Sequence, residues 1–257
     1  MPRFAANLSM LFTEAPFLDR FALAAQAGFA AVECQFPYEA PAAEIRARLD
    51  ALGLRMVLHN LPAGDWAGGE RGLAGLPGRE DEFRAGVARA IGYARALGVP
   101  QLNCLAGIAP PGADAALVHR TLVGNLRFAA RRLADEGLRL LVEPINTFDI
   151  PGFIVNRTDQ ALALLDEVGA GNAFVQYDVY HAQRMEGELA ATLRAQLARI
   201  GHVQVADNPG RHEPGTGEIR FAFLFEELDR LGYAGWVGCE YRPRTTTAES
   251  LGWLQRA

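Results

Sequence analysis

The residues Leu138-Arg-Leu-Leu-Val-Glu143 are the clearest indication of the fold, because a mostly apolar run of strand length ends there in an acidic residue. Three more runs reach a polar residue in the same way: Phe174-Val-Gln-Tyr-Asp178, His202-Val-Gln204-Val and Trp236-Val-Gly-Cys-Glu240. A strand buried inside a parallel sheet has a nearly continuous apolar run. Burying a carboxylate at the end of such a strand costs free energy unless a cation or another partner interacts with it. The four runs therefore predict parallel strands whose ends share one polar site.

Strand-like runs alternate with amphipathic stretches along all 257 residues. Eight strands are predicted, at Phe4–Asn7, Ala31–Cys34, Arg55–His59, Gln101–Cys104, Leu138–Glu143, Phe174–Asp178, His202–Asp207 and Trp236–Glu240. Helices are predicted at Ala15–Gln26, Ala42–Leu52, Glu80–Leu97, Asp114–Glu136, Asp159–Glu167, Gly187–Ile200 and Phe221–Leu231. A (β/α)8 barrel typically takes about 250 residues, so we predict an α/β protein with a single (β/α)8 TIM barrel over residues 1–257. No GxGxxG motif follows the first strand, which disfavours a dinucleotide-binding sheet.

The composition limits the partners of this protein. The net charge of −5 disfavours a broad contact with nucleic acid or with a membrane surface. Neither an apolar run of about 18 residues nor a signal-peptide pattern is present in the sequence. The three cysteines form no CxxC pair, and each falls in a strand candidate, which favours core packing. We therefore expect a cytoplasmic protein without membrane or nucleic-acid partners. The sequence is compatible with a homo-oligomer and does not fix the number of subunits.

One connection lacks helical periodicity. Residues 60–79 are rich in glycine and follow the third predicted strand. Loops of this length inside a compact domain are usually functional or disordered, and loops after barrel strands lie on the face where active sites form. We interpret this segment as a lid with Trp66, Glu70 and Arg71 as candidate contacts. The alternative is a surface excursion without function.

Barrel strands present their functional groups at their carboxyl ends. The predicted ends are Asn7, Glu33, His59, Asn103, Glu143, Asp178, Gln204 and Glu240. The last four form an oxygen-rich set that suits a hard divalent ion, Mg²⁺ or Mn²⁺. The alternative for this set is a buried cluster of salt bridges.

Other polar residues lie near these ends, and we add them as candidate substrate contacts. His59 ends the third strand, His181 follows Asp178 within one turn, and Arg211 lies on the loop after the seventh strand. A guanidinium there could bind a substrate carboxylate in a bidentate manner. Asp149 either orients a neighbouring site residue or forms a turn. His202, closer to a strand start, is predicted to be a core histidine.

The predicted site contains acids and a metal, whereas the sequence has no GxSxG, Walker or HExxH motif. Such a set suits proton transfer next to a carbonyl group. A divalent ion can stabilise the enediolate charge, while one carboxylate removes a proton from carbon and another group returns it. The residues therefore predict an isomerase of the aldose–ketose type.

Long strings of the sequence resemble the hydroxypyruvate isomerase family, within the xylose-isomerase-like barrels. They include Leu58-His-Asn-Leu-Pro-Ala-Gly-Asp-Trp-Ala, Ile145-Asn-Thr-Phe-Asp-Ile-Pro-Gly-Phe, Gln176-Tyr-Asp-Val-Tyr-His and Glu213-Pro-Gly-Thr-Gly-Glu-Ile. The resemblance implies a small hydroxy-oxo acid substrate and the interconversion of hydroxypyruvate and 2-hydroxy-3-oxopropanoate (tartronate semialdehyde). It also implies that Glu143 and Glu240 are the acid/base pair and that Glu143, Asp178, Gln204 and Glu240 hold the metal. The wider group usually has a histidine where this chain has Gln204.

Alternatives within and outside this class remain open at the level of sequence. Close relatives of the resembled family include 2-oxotetronate isomerase, and the same barrels support other ketose isomerases and epimerases. A substrate carboxylate among so many acids needs a cation, and Arg71 and Arg211 are the candidates. An endonuclease-IV-like phosphodiesterase would need more histidine ligands and a basic DNA surface. A non-catalytic barrel would be favoured by apolar strand ends, which this chain does not have.

Overall fold

The computed structural model describes residues 1–255 and forms a single parallel sheet surrounded by helices. Its strands are β1 (Arg3–Asn7), β2 (Ala31–Glu33), β3 (Arg55–Met56), β4 (His59–Asn60), β5 (Gln101–Cys104), β6 (Arg139–Val142), β7 (Ala173–Asp178), β8 (Ile200–Val205) and β9 (Trp236–Cys239). Their order in the sheet is β3-β2-β1-β9-β8-β7-β6-β5-β4. All neighbouring strands are parallel, so their carboxyl ends lie on one face.

The third predicted strand is divided into β3 and β4, and this division closes the barrel. β3 pairs with β2, whereas β4 pairs with β5 at the other end of the sheet. Val57 and Leu58 lie between the two pieces and both pack into the small cluster inside the barrel. Side chains of a regular strand alternate between the two faces. Two successive inward residues therefore shift the alternation by one position, with a consequence for the site described below.

Helices cover the outside of the barrel. They are α1 (Arg20–Gln26), α2 (Ala42–Leu52), α3 (Glu80–Leu97), α4 (Ala115–Ala134), α5 (Thr158–Val168), α6 (Val179–Met185), α7 (Leu189–Gln196), α8 (Phe221–Arg230) and α9 (Thr247–Ser250). The main hydrophobic core fills the space between strands and helices. The glycines after α2 and α3, Gly53 and Gly98, have φ values of 65° and 70°, as expected for a helix that ends just before a strand. No helix within residues 1–255 is long and apolar enough to cross a membrane.

Five of the seven predicted helices have different bounds in the structure, and in two of them the difference exceeds two residues. The first begins as a 3-10 turn, Phe17–Asp19, before α1. The helix predicted over Gly187–Ile200 ends at Gln196, and Ile200 already belongs to β8. Helix α6 was not predicted; it begins because the Asp178 carboxylate accepts a hydrogen bond from the Tyr180 backbone N–H at 2.8 Å. A residue predicted as a metal ligand therefore also caps a helix.

Candidate active site

A cavity of about 600 Å³ opens at the carboxyl ends of the strands. Polar and charged side chains from seven of the strand ends and loops at this face line it, and they include Ser9, Gln35, Asn60, Arg71, Glu143, Asp149, His181, Arg211, Glu240 and Arg242. Five of the predicted site residues are therefore in one cavity with Arg71 of the long loop. Gln35, Asn60 and Ser9 were not predicted as site residues, although Gln35 directly follows the second predicted strand.

Glu143 and Asp178 are neighbouring carboxylates at the ends of β6 and β7. Both are buried, with exposed fractions of 4% and 2%. One oxygen of Glu143 accepts a hydrogen bond from Asn103 Nδ2 at 2.8 Å. Its other oxygen lies 3.8 Å from His181 Nε2, and Asp178 Oδ2 lies 3.5 Å from the same nitrogen. Each acid therefore keeps one oxygen directed at the same space.

Glu240, which follows β9, is held by three hydrogen bonds. Asn7 Nδ2 and Gln35 Nε2 donate to its Oε1 at 3.1 and 3.0 Å, and the Arg211 guanidinium donates to its Oε2 at 2.5 Å. The same Arg211 nitrogen lies 3.4 Å from Asp178 Oδ2. Hydrogen bonds from this many donors favour the ionised carboxylate. Glu240 is therefore a carboxyl group that three donors fix in place.

Gln204 belongs to a polar layer just below these acids. Its Nε2 donates to Glu33 Oε1 at 2.7 Å, and its Oε1 accepts from Gln176 Nε2 at 2.6 Å. His202 is buried and lies 2.7 Å from the other Glu33 oxygen, which confirms the prediction of a satisfied core histidine. A Cβ at Gly238 would lie 2.3 Å from the Glu33 carboxylate, so a larger residue there would displace this carboxylate from the layer. Gln204 does not line the cavity itself.

His181 and Asp149 are connected through Asn146. Asn146 Nδ2 donates to His181 Nδ1 at 2.7 Å and to Asp149 Oδ2 at 3.1 Å. Asp149 also accepts hydrogen bonds from the Tyr180 hydroxyl at 2.9 Å and from Arg184 at 3.0 Å. Asp149 is therefore the hub of a hydrogen-bonded network behind the histidine. The sequence showed Asn146 only as part of a longer family string.

Burial shifts the pKa values of the acids toward the neutral form. It raises the pKa of Glu143 well above its ordinary value, and the charges of Glu240 and Asp178 raise it further. Burial also raises the pKa of Asp178 to about 7, although Arg211 acts in the opposite direction. The pKa of Glu240 is raised by burial as well, against the effect of Arg211. Shifts of this kind, in a cleft with specific charged partners, are typical of functional sites.

Burial acts to lower the pKa of both basic groups of the site, His181 and Arg211, but the net shifts have opposite directions. It lowers the pKa of His181 well below 6.5, and the charges of Arg211 and Arg184 add to this effect, so the ring is neutral at pH 7. Burial also acts to lower the pKa of Arg211, but the carboxylates of Glu240, Asp178 and Glu143 more than offset it. The net shift for Arg211 is upward, and its guanidinium stays charged.

His59, predicted to contact substrate, does not line the cavity. Its ring is on the outer side of the barrel, edge-on to the Tyr38 ring at 5.7 Å between ring centroids. Burial lowers the pKa of His59 to about 4. The shift in alternation at residues 57–58 turns Asn60 toward the cavity instead, where it accepts a hydrogen bond from Asn103 at 3.2 Å. We therefore include Asn60 rather than His59 in the site.

The long loop after β4 covers one side of the cavity with Trp66 and Arg71. Arg71 donates to the backbone oxygens of Trp66 and Glu70 at 2.9 and 2.7 Å, and its guanidinium lies 4.2 Å from the centre of the Trp66 ring. Glu70 does not contact the cavity; it forms an ion pair with Arg79 at 2.6 Å. The loop is thus folded on itself, and its opening and closing as a lid stays a prediction.

The donor atoms fit a divalent ion. Ligand atoms of Glu143, Asp178 and His181 all lie within 4.8 Å of one another. Glu143 Oε1 accepts no hydrogen bond from any residue in the range 1–255, so a buried carboxylate oxygen is left for a cation. Anionic oxygens in a buried cluster are the donors that Mg²⁺ and Mn²⁺ prefer. A metal site here is therefore chemically consistent with the residues present.

Comparisons with known proteins give the family. The model of the family described as "Xylose isomerase-like TIM barrel" matches residues 21–257 of this chain. Over 99% of its length, this chain is 57% identical to hydroxypyruvate isomerase of Escherichia coli K12 and 54% identical to 2-oxo-tetronate isomerase of Cupriavidus necator, and it covers 98% of each of these relatives. A crystal structure named AP endonuclease, family 2, from Brucella melitensis has a TM-score of 0.97 and 46% identity, with coverage of 100% of this chain and 99% of that one.

This chain belongs to the xylose isomerase-like TIM-barrel family. Within it, the chain is similar over its full length to relatives named as isomerases of hydroxypyruvate and of 2-oxo-tetronate. The predicted α/β barrel, the resemblance to the hydroxypyruvate isomerase family and the isomerase class are therefore confirmed.

Proposed function

We propose that this protein interconverts hydroxypyruvate and 2-hydroxy-3-oxopropanoate by proton transfer between Glu143 and Glu240. The observation that supports this most directly is that both buried glutamates line one cavity together with Arg211. The full-length similarity to an isomerase of hydroxypyruvate supports the choice of substrate. No other acid is needed to move the proton, because the reaction uses only one base and one acid at a time.

The reaction balances within the substrate. One glutamate removes a proton from C3, the hydroxymethyl carbon, and electrons move through an enediolate to C2, where the proton is returned. The hydroxyl proton of O3 ends on O2, so C3 becomes the aldehyde and C2 the alcohol. Glu240, which accepts three hydrogen bonds in its charged form, is suited to begin as the base. Glu143, in the less satisfied environment, is suited to hold the proton.

Other residues bind and orient the substrate. Arg211, whose guanidinium is already between Glu240 and Asp178, would neutralise the substrate carboxylate and the enediolate. Glu143, Asp178 and Glu240 would hold Mg²⁺ or Mn²⁺, with Gln204 as a fourth ligand through the second lone pair of its oxygen. The bound ion would supply positive charge to the substrate oxygens. His181 and Arg71 would contact the substrate. Asp149 would contact the substrate or support His181 through Asn146.

Two glutamine variants test the acid/base pair. Glu143→Gln and Glu240→Gln keep the size of the side chain but remove the base. We expect kcat on hydroxypyruvate, followed by proton NMR in D₂O, to fall about 10²–10⁴-fold in each. Incorporation of solvent deuterium at carbon should fall in parallel. Turnover like that of the wild type in both variants would exclude this pair.

Thermal unfolding tests the metal. An ion that binds only the folded chain raises Tm by an amount that grows with the logarithm of its concentration relative to its Kd. We expect added Mn²⁺ to raise Tm and EDTA to lower it, with a smaller response in Asp178→Asn. Full activity after exhaustive chelation, together with an unchanged Tm, would show that the carboxylates act without a metal.

A second candidate substrate is 2-oxo-tetronate, because the relative that acts on it is 54% identical to this chain. The cavity of about 600 Å³ has room for a fourth carbon. Parallel measurements of kcat/KM on both acids decide between them.

The Brucella structure is named as an AP endonuclease, and an assay for cleavage of abasic DNA tests whether this chain has that activity. A cytoplasmic location, a lack of nucleic-acid binding and a homo-oligomer stay predictions from the sequence.

A further inference from the structure

Asn146 has only one orientation of its carboxamide that satisfies its surroundings. Its Oδ1 accepts hydrogen bonds from the backbone N–H groups of Phe148 at 3.1 Å and of Asp149 at 2.8 Å. A flipped amide would direct its N–H₂ group at these two donors. The side chain is completely buried, so water cannot relieve such a conflict. The Nδ2 group is therefore fixed on the side that faces His181.

Two donors from Asn146 then converge on one nitrogen of His181. Nδ2 lies 2.7 Å from His181 Nδ1, and the Asn146 backbone N–H lies 3.4 Å from the same atom. The second hydrogen on Nδ2 goes to Asp149 Oδ2 at 3.1 Å. A neutral imidazole has one N–H donor and one acceptor nitrogen. Because Nδ1 faces only donors here, it must be the acceptor, and the ring proton must be on Nε2.

We propose that Asn146 is a positioning residue that fixes His181 in the tautomer with its proton on Nε2. This nitrogen faces the cavity, 3.5 Å from Asp178 Oδ2 and 3.8 Å from Glu143 Oε1. His181 is then a hydrogen-bond donor to the substrate oxygen that gains negative charge. No proton leaves the ring in this role. This last step rests on the proposed function, whereas the assignment of the tautomer does not.

The same geometry argues against His181 as a metal ligand. A histidine that binds an ion through Nε2 has no proton there and usually donates Nδ1–H to a carboxylate or carbonyl oxygen. Here an Nδ1–H would point at the N–H₂ group of Asn146. The distances among Glu143, Asp178 and His181 allow a metal, but the hydrogen-bond directions do not favour the histidine. The carboxylates alone are then the ligands from this group.

Nitrogen NMR of the ring measures the tautomer directly. In ¹⁵N-histidine-labelled protein at neutral pH, Nδ1 of His181 should have the chemical shift of an unprotonated nitrogen, and Nε2 that of a protonated one. His181→Gln identifies the signals by their loss. Asn146→Asp keeps the acceptor for Phe148 and Asp149 but replaces the donor by an acceptor. We expect the proton to move to Nδ1, or both nitrogens to be protonated, in this variant.

Tyr180→Phe is the matched control, because it removes a hydrogen bond to Asp149 without touching His181 Nδ1. The ring signals of His181 should stay as in the wild type. A protonated Nδ1 in the wild type, or ring signals unchanged by Asn146→Asp, would overturn the assignment. Both results are independent of turnover, so they are distinguishable from a failure of the proposed reaction.

Kinetics test the donor role separately. Losing one donor to a developing oxyanion typically costs about 10²–10³-fold in kcat, and Asn146→Asp should approach this loss with a smaller change in KM. His181→Gln places an amide N–H₂ near the former Nε2 and does not depend on Asn146. In the His181→Gln variant, the additional change Asn146→Asp should lower kcat by less than about tenfold. Equal losses in both backgrounds would show that Asn146 does not act through His181.

Discussion

Among the loops that bring an arginine to the cavity, those after β8 and β4 are held in opposite ways. The loop after β8 is organised by Asp207, a completely buried carboxylate that accepts four backbone N–H groups: those of Asn208, Gly215, Gly217 and Ile219, at 2.8–3.1 Å. The loop after β4 is organised by Glu70, whose side chain is 27% exposed and pairs with Arg79 and with the Asp65 N–H.

The arginines differ accordingly. Arg211 adopts φ 58°, an unfavourable value for a residue with a side chain, and its guanidinium contacts Glu240 and Asp178. Arg71 contacts backbone oxygens and the Trp66 ring of its own loop. A strained conformation persists only where the surrounding structure determines it. The comparison indicates that the loop after β8 holds a charge at a fixed place, whereas within residues 1–255 the Arg71 guanidinium contacts only its own loop and no acid of the site.

The largest expected effect comes from the buried anchor. Asp207→Asn directs an N–H₂ group at backbone N–H donors, so we expect the free energy of unfolding to fall by about 3 kcal/mol in urea titrations. Because Arg211 loses its support, kcat/KM should fall about 100-fold. Glu70→Gln makes the same chemical change in the other loop and should cost less than about 1 kcal/mol. Equal losses in the two variants would remove the distinction between the loops.

The next largest difference is expected between the kcat/KM values of variants at the two arginines. A charged hydrogen bond of Arg to a carboxylate contributes roughly 1.5–3 kcal/mol, so Arg211→Met should lower kcat/KM on hydroxypyruvate by about 100-fold. Arg71→Met, from the loop that is folded on itself, should lower it by about tenfold. An uncharged ketose of similar size is the control and should be affected less. If both variants lose equally on charged and uncharged substrates, neither arginine binds the carboxylate.

The smallest effect is a pH dependence of the loop after β4. The hydrogen bonds from Arg79 and from Asp65 lower the pKa of Glu70 below 4.5. A depressed pKa contributes stability above the unfolded value, and this contribution is lost as the pH falls through the folded value. The small Tm difference between wild type and Glu70→Gln should therefore be present at pH 7 and shrink as the pH falls below 4.5. A difference that does not change as the pH is lowered through this range would assign it to packing rather than to charge.

Much of the site follows from a rule that needs no tertiary structure. The carboxyl ends of parallel strands meet on one face, so the sequence was sufficient to bring Glu143, Asp178 and Glu240 together and to identify Arg211 and His181 as neighbours. His59 shows where the rule fails. The side of the barrel that the His59 side chain faces depends on whether the alternation of the strand continues through Val57 and Leu58. Both of these residues pack inward, at the place where the barrel closes. Periodicity within one short run contains no information about such a shift.

The barrel, the family and the acids of the site could be predicted from the sequence, because apolar runs, glycine positions and strand ends are local features of the chain. Which polar groups face each other depends on the tertiary structure. The hydrogen bonds of Gln204 with Glu33 and Gln176, and of Arg211 with Glu240, join residues that lie 28 to 171 positions apart. The tautomer of His181 depends on Asn146, 35 positions away. These directions are set by packing across the closed barrel, where buried polar groups must satisfy one another.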